Sequence, residues 1–82
     1  MKVQILGSGC ARCEDLYNNA VAALSRLKDS DTKVEKTADP EVFFRLKVNM
    51  TPALVIDDEV VSTGKLLTVD EIETELLKRS GE

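Results

Sequence analysis

Apolar positions along the chain fall alternately into strand-length runs and helical faces. Lys2-Val3-Gln4-Ile5-Leu6 reads as a strand, and Gly7-Ser8-Gly9 as the turn that follows it. Beyond the turn, Cys13, Leu16, Tyr17, Ala20, Leu24 and Leu27 recur at three- and four-residue spacing. That places them on one face of a helix running to about Lys28, where Asp29-Ser30-Asp31 ends it. Lys33 to Thr37 reads as a second strand in which only Val34 is clearly apolar. Asp39-Pro40 then opens a second helix. The aspartate can cap free amides, the proline suits the first helical position, and Val42, Phe43 and Leu46 lie to one side.

Ala53-Leu54-Val55-Ile56 is a continuous apolar run of strand length. Asp57-Asp58-Glu59 forms the turn into Val60-Val61-Ser62, giving a hairpin whose strands both read as central or nearly so. The last element has the most specific local signature. Thr68 and Glu71 form a capping box, with Leu67 and Ile72 as the hydrophobic staple around it. Val69, Ile72 and Leu76 carry the helix toward Lys78 and Arg79 at its negative end. The predicted order is βαβαββα, an α/β fold with a four-stranded mixed sheet and helices on both faces. Strands one and two should be parallel through a right-handed crossover, strand three parallel to strand two by the same rule, and the final hairpin antiparallel. No repeat, linker or low-complexity stretch divides the chain, so residues 1–82 are expected to form a single domain.

A chain of 82 residues buries roughly 60 to 65% of its unfolded surface, enough for a thin core. Its net charge of −4 comes from 11 basic and 15 acidic residues interspersed along the chain. No basic stripe is left to meet a phosphate backbone, so nucleic acid is not an expected partner. No run approaches the ~18 apolar residues of a membrane span, and Met1-Lys2-Val3-Gln4 lacks the apolar stretch and cleavage site of a signal peptide. The expectation is a cytoplasmic protein with no membrane partner. Histidine is absent, which removes Cys-His catalysis and imidazole metal sites. There is no Walker-type phosphate loop. A cysteine phosphatase needs an arginine six residues past its nucleophile, and that offset holds Leu16 after Cys10 and Asn19 after Cys13.

The chemistry concentrates in Cys10-Ala11-Arg12-Cys13, which contains both cysteines of the chain and sits where the first strand gives way to the long helix. In a reducing compartment a disulfide closing so short a loop adds little stability. A redox pair or a metal site therefore explains the spacing better than a structural bridge. Cys10 falls at the helix mouth, where unpaired amides and the helix dipole favour a thiolate. Arg12 adds a positive charge that lowers the Cys10 pKa, while Glu14 and Asp15 oppose it; the helix end and Arg12 are expected to win. A cysteine of pKa about 8.5 is about 3% thiolate at pH 7, and one of pKa about 7 is about half. Lower nucleophilicity cancels much of that roughly fifteen-fold gain, leaving about threefold for attack; the larger benefit is as a leaving group. Cys13, one turn inside and on the apolar face, should be less exposed and less acidic.

Taken together, these motifs resemble a known family. Gly9-Cys10-Ala11-Arg12-Cys13 follows the first strand, Met50-Thr51-Pro52-Ala53-Leu54-Val55-Ile56-Asp57 enters the third, and a hairpin and Gly64 precede the last helix. The conjunction is similar to the minimal thioredoxin fold, and most like the small thioredoxin-like proteins of bacteria and archaea described as redox-active disulfide proteins. The resemblance covers nearly the whole chain. It implies that Cys10 attacks and Cys13 resolves, and that the Thr51-Pro52 bond is cis and faces the cysteine pair. It also implies that the backbone beside Pro52 pairs with an extended substrate while the proline ring keeps metal ions from the thiols. Met50 would be either a space-filler or a soft apolar contact for substrate, and Gly64 would meet a backbone need near the same face. Some positions depart from the better-known relatives. Gly9 stands where thioredoxins carry a tryptophan, and Ala11-Arg12 where they carry Gly-Pro. The first strand has no carboxylate, and Gln4 is the nearest polar candidate for the buried acid that serves the resolving cysteine there. The Pro-Tyr of glutaredoxins is missing between the cysteines, and Gly64-Lys65 lacks the Gly-Gly and Asp that hold glutathione, so reductant and substrate stay open.

The expected function is that of a monomeric thiol–disulfide oxidoreductase with Cys10 and Cys13 catalytic and Arg12 tuning the attacking thiol. Met50, Thr51, Pro52 and Gly64 are expected on the substrate side, with no cofactor or metal. Its partners would be protein or small-molecule disulfides and a thiol reductant or reductase. The alternative is a non-catalytic carrier that holds a soft metal or metalloid on the same thiols. Small copper carriers also place a CxxC after their first strand, but their βαββαβ order ends in a strand, whereas the Thr68–Glu71 box makes the last element here a helix. Two thiolates also fill only half of a zinc site. Elsewhere plainer readings hold: Tyr17, Phe43 and Phe44 as core or partly covered packing residues, Asp57-Asp58-Glu59 as a solvated turn without calcium-loop spacing, and Lys65 as solvated.

Overall fold

The computed structural model describes residues 2–7, 9, 11–28 and 32–80, the last by its backbone alone. Its elements run β1 (Val3–Leu6), α1 (Ala11–Arg26), β2 (Val34–Thr37), α2 (Pro40–Arg45), β3 (Ala53–Ile56), β4 (Glu59–Thr63) and α3 (Val69–Ser80), the predicted βαβαββα order. The Asp29-Ser30-Asp31 helix stop lies outside the described residues. Before it, α1 is already followed by Lys28 in the left-handed region, with its amide donating to Ser25 O at 3.0 Å.

The strands form one mixed sheet in the order β2-β1-β3-β4. β1 and β2 are parallel, as a helical crossover requires. β3 departs from expectation: it runs antiparallel to β1, with Leu6 opposite Ala53 and Val3 opposite Ile56. The reason lies after α2, which is only six residues long. Lys47 takes a left-handed conformation, Val48 donates its amide to Phe43 O at 2.9 Å, and the chain doubles back to the end of the sheet where β1 finishes. Only β3 of the hairpin is central. β4 is the sheet edge and is half-exposed, because no strand lies beyond it.

β1 and β3 are buried at every position, which explains the unbroken apolar run of β3 and leaves Gln4 as the one polar side chain of β1. On one face, Val3, Ile5, Leu54 and Ile56 pack with Leu16, Ala20 and Leu24 of α1 and Ile72 and Leu76 of α3. On the other, Leu6, Ala53, Val55 and Val48 pack with Val42, Phe43 and Leu46 around α2. Phe44 corrects the expectation that both phenylalanines are covered: it is 88% exposed. Adjacent helical residues point about 100° apart, so with Phe43 on the sheet its neighbour must face outward.

Local signals place the ends of elements. Asp39 caps α2 by accepting the Glu41 amide at 2.9 Å, with Pro40 next. Thr68 Oγ1 accepts from the Glu71 amide at 3.1 Å, and Glu71 Oε1 accepts from the Thr68 amide at 2.9 Å, a complete capping box. The hairpin turn is two residues, not three. Asp57 and Asp58 have φ of 52° and 66°, the signature of a type I′ turn, and Glu59 already pairs with Ile56. Arg26 of α1 pairs with Asp70 and Glu73 of α3, and the hydrogen bond to Asp70 is the main cause raising its pKa. Among the described residues, no helix is long and apolar enough to cross a membrane.

Lys47 and Asp58 hold left-handed backbone that glycine adopts without steric cost. Lys47→Gly and Asp58→Gly are each expected to stabilise the fold by about 0.5–1 kcal/mol. The urea midpoint measures this, and a fall in midpoint for both variants would contradict it.

Candidate active site

The topology brings two more segments to the end of β1 where the cysteine motif begins. Leu6 lies opposite Ala53, and Ala53 opposite Thr63. The chain entering β3 through Met50, Thr51 and Pro52 and the chain leaving β4 through Gly64 and Lys65 therefore lie at that same end. Cys10 and Ser8 lie outside the described residues, whereas Ala11, Arg12 and Cys13 open α1.

Cys13 is 2% exposed, on the helix face that the apolar spacing gave it. Its sulfur is packed against backbone: a Cβ at Gly7 would lie 2.2 Å from Sγ. No other residue type fits there without displacing α1 or β1. Gly7 is itself fixed, donating its amide to Thr37 O at 3.0 Å as an extension of the β1–β2 pairing. A cavity of about 220 Å³, lined by Ile5, Gly7, Gly9, Cys13 and Lys36 among others, lies beside this contact. Gly7 was legible in the sequence only as a turn residue.

Gln4, the polar candidate of the first strand, is buried at 5% exposure, and its Oε1 has no hydrogen-bond partner among the described residues. Alternation along β1 puts it with Leu6 on the α2 side of the sheet, whereas Cys13 belongs to α1 and adjoins Ile5 and Gly7. It therefore does not stand beneath the Cys13 sulfur.

The Thr51–Pro52 peptide bond is cis, with Pro52 buried and Thr51 exposed. Pro52 O accepts the Gly64 amide at 2.8 Å. Gly64 has φ of 69°, and a Cβ there would meet Met50 Cε at 2.9 Å, so both its conformation and its surroundings favour glycine. Met50 is 58% exposed, which removes the space-filling alternative. Arg12 reaches across from α1: its Nη2 donates to Gly64 O at 3.3 Å. Arg12, Met50, Thr51, Pro52 and Gly64 thus form one connected group at the start of α1.

Two other contacts were not legible in the sequence. Asn19 Nδ2 donates to Leu67 O at 2.9 Å, fastening α1 to the segment before α3. Glu14 pairs with Lys36 of β2, whose ammonium also lies 4.7 Å from the Tyr17 ring centroid. Among the described residues, no three acidic or cysteine side chains gather as metal ligands.

A four-stranded mixed sheet with this order, a CxxC at the helix after β1 and an X-Pro leading into antiparallel β3 define a protein of the thioredoxin-like class. The chain belongs to the thioredoxin domain family, whose family model matches residues 1–77. It is 33% identical over 72 residues to a thioredoxin of Methanothermobacter thermautotrophicus, covering 88% of this chain and 92% of that protein. It is likewise 34% identical over 74 residues to a thioredoxin of Methanocaldococcus jannaschii, covering 90% and 84%. Membership and these relatives support a thioredoxin-type redox function.

Gly7→Ala is expected to destabilise the fold by about 1–3 kcal/mol, because the added methyl must displace the Cys13 sulfur or the strand. Urea denaturation of the reduced protein measures this; an unchanged midpoint would mean that the contact is not close-packed.

Proposed function

We propose that this chain is a cytoplasmic thiol–disulfide oxidoreductase, a monomer with one domain over residues 1–82, and that Cys10 and Cys13 are its redox couple. One observation carries the reading: the sulfur of Cys13 is buried in the first turn of α1, at the end of the sheet where Thr51–Pro52 and Gly64 also lie. A pair in which the second thiol is covered and the first precedes it at the helix mouth suits sequential chemistry.

Cys10, as thiolate, attacks one sulfur of a substrate disulfide. The substrate S–S bond breaks, a substrate thiolate leaves and takes a proton from solvent, and a mixed disulfide with Cys10 forms. Cys13 then loses its proton and attacks the Cys10 sulfur. The Cys10–Cys13 disulfide forms, the second substrate thiolate leaves, and two electrons have passed from the dithiol to the substrate. A thiol reductant or reductase restores the dithiol by the reverse exchange. Arg12 and the first amides of α1 favour the Cys10 thiolate in its attack on the substrate disulfide. Thr51 and Pro52 offer backbone to an extended substrate, with Met50 as an apolar contact and Gly64 keeping the rim low.

Cys10→Ser is expected to reduce disulfide exchange to the background rate. Cys13→Ser is expected to accumulate a mixed disulfide with a peptide disulfide, seen as an adduct by intact-mass spectrometry. Full activity in Cys10→Ser, or adducts on Cys13 in the wild-type chain, would overturn the assignment.

A further inference from the structure

Arg12 is the charged residue between the two cysteines, and its side chain is held in place. Nη2 donates to Gly64 O, while Gly64 donates its own amide to Pro52 O and sits against Met50. The guanidinium is thereby fixed at the rim where α1 and β3 begin and β4 ends. A guanidinium has five N–H donors, and Arg12 is exposed, so donors not aimed at Gly64 O face solvent over that rim. Lys65, next in the chain and also exposed, lines a separate groove with Leu67, Glu71 and Glu75, so the cation of the rim is Arg12. The carboxylates at the same end are Glu14, engaged by Lys36, Asp39, which caps α2, and Asp15 on α1. A protein of net charge −4 thus carries a positioned positive charge where a substrate would lie.

We infer that Arg12 is a specificity-determining residue that selects disulfide peptides with an acidic side chain next to the reacting cysteine. This rests on the oxidoreductase reading above. A substrate strand along Met50-Thr51-Pro52 has its attacked sulfur at the start of α1, and the residue beside that sulfur falls at the rim. Arg12 suits a carboxylate there because its fork can donate twice, and the Gly64 contact has already restricted its rotamers. The interaction is solvent-exposed, so its expected size is about two- to fivefold in rate, and salt should weaken it.

The test uses three peptide disulfides alike except for Glu, Gln or Lys beside the reacting cysteine, reduced by the full-length dithiol protein. At low ionic strength the second-order rates are expected to fall in the order Glu, Gln, Lys, by about threefold per step, and to converge in about 0.5 M salt. Arg12→Gln is expected to change all three rates, because it also alters Cys10, but to collapse their ratio. Arg12→Lys should retain most of the ratio, and Lys65→Gln should leave it unchanged. Equal wild-type rates, or an undiminished ratio in Arg12→Gln, would overturn the inference. Peptides with serine in place of cysteine give an independent readout through NMR shifts of the Gly64 amide and Arg12 Nε–H. If no peptide is reduced, the oxidoreductase reading fails, and these shifts still decide the charge preference: graded from Glu to Lys they support it, ungraded they overturn it.

Discussion

The backbone of Gly7 lies against the sulfur of Cys13 with no space for a side chain between them. That contact couples the last residue of the β1 ladder to the first turn of α1, and the rest of the site takes its position from it. Behind Cys13, the buried face of α1 continues through Leu16, Ala20 and Leu24 onto Val3 and Ile5 of β1 and Ile72 and Leu76 of α3. The helix therefore cannot retreat to make room without opening the larger of the two cores. Burial of the second thiol is a consequence of packing.

The reversal after α2 matters as much. A short helix capped by Asp39 and ended by a left-handed Lys47 returns the chain to the end of the sheet where β1 stops, so β3 begins beside the cysteine motif. A parallel β3 would have put Pro52 at the opposite end, some four residues of strand away, or about 13 Å. From there the hairpin brings Gly64 back to the same end, where it bonds Pro52 and receives Arg12. Asn19 and the Thr68–Glu71 box then fix where the last helix departs. Sequence, turn chemistry and topology converge on one edge of the molecule.

Much of this was legible in the residues. The element order follows from apolar period and from two strong helix starts, Asp39-Pro40 and Thr68–Glu71, because capping chemistry is local. The face of Cys13 follows from helical spacing with Leu16 and Ala20. Illegible features depended on conformations or contacts without a local marker. Lys28, Lys47, Asp57 and Asp58 take the left-handed conformations usually marked by glycine, so the residues do not mark the helix ends, the two-residue turn or the reversal that sets the direction of β3. Gly7 against Cys13 and Arg12 on Gly64 join residues that periodicity cannot relate. Alternation along β1, which was available, would have separated Gln4 from Cys13.

The central claim is a division of labour between two sulfurs three residues apart, one reactive and one covered. Reduced protein alkylated with iodoacetamide from pH 5 to 9, with each site followed by peptide mass spectrometry, tests it most directly. Cys10 is expected to react first across the whole range and to retain much of its rate below pH 7.5, with Cys13 slower by at least about tenfold. Equal rates at the two cysteines, or faster reaction at Cys13, would contradict the account.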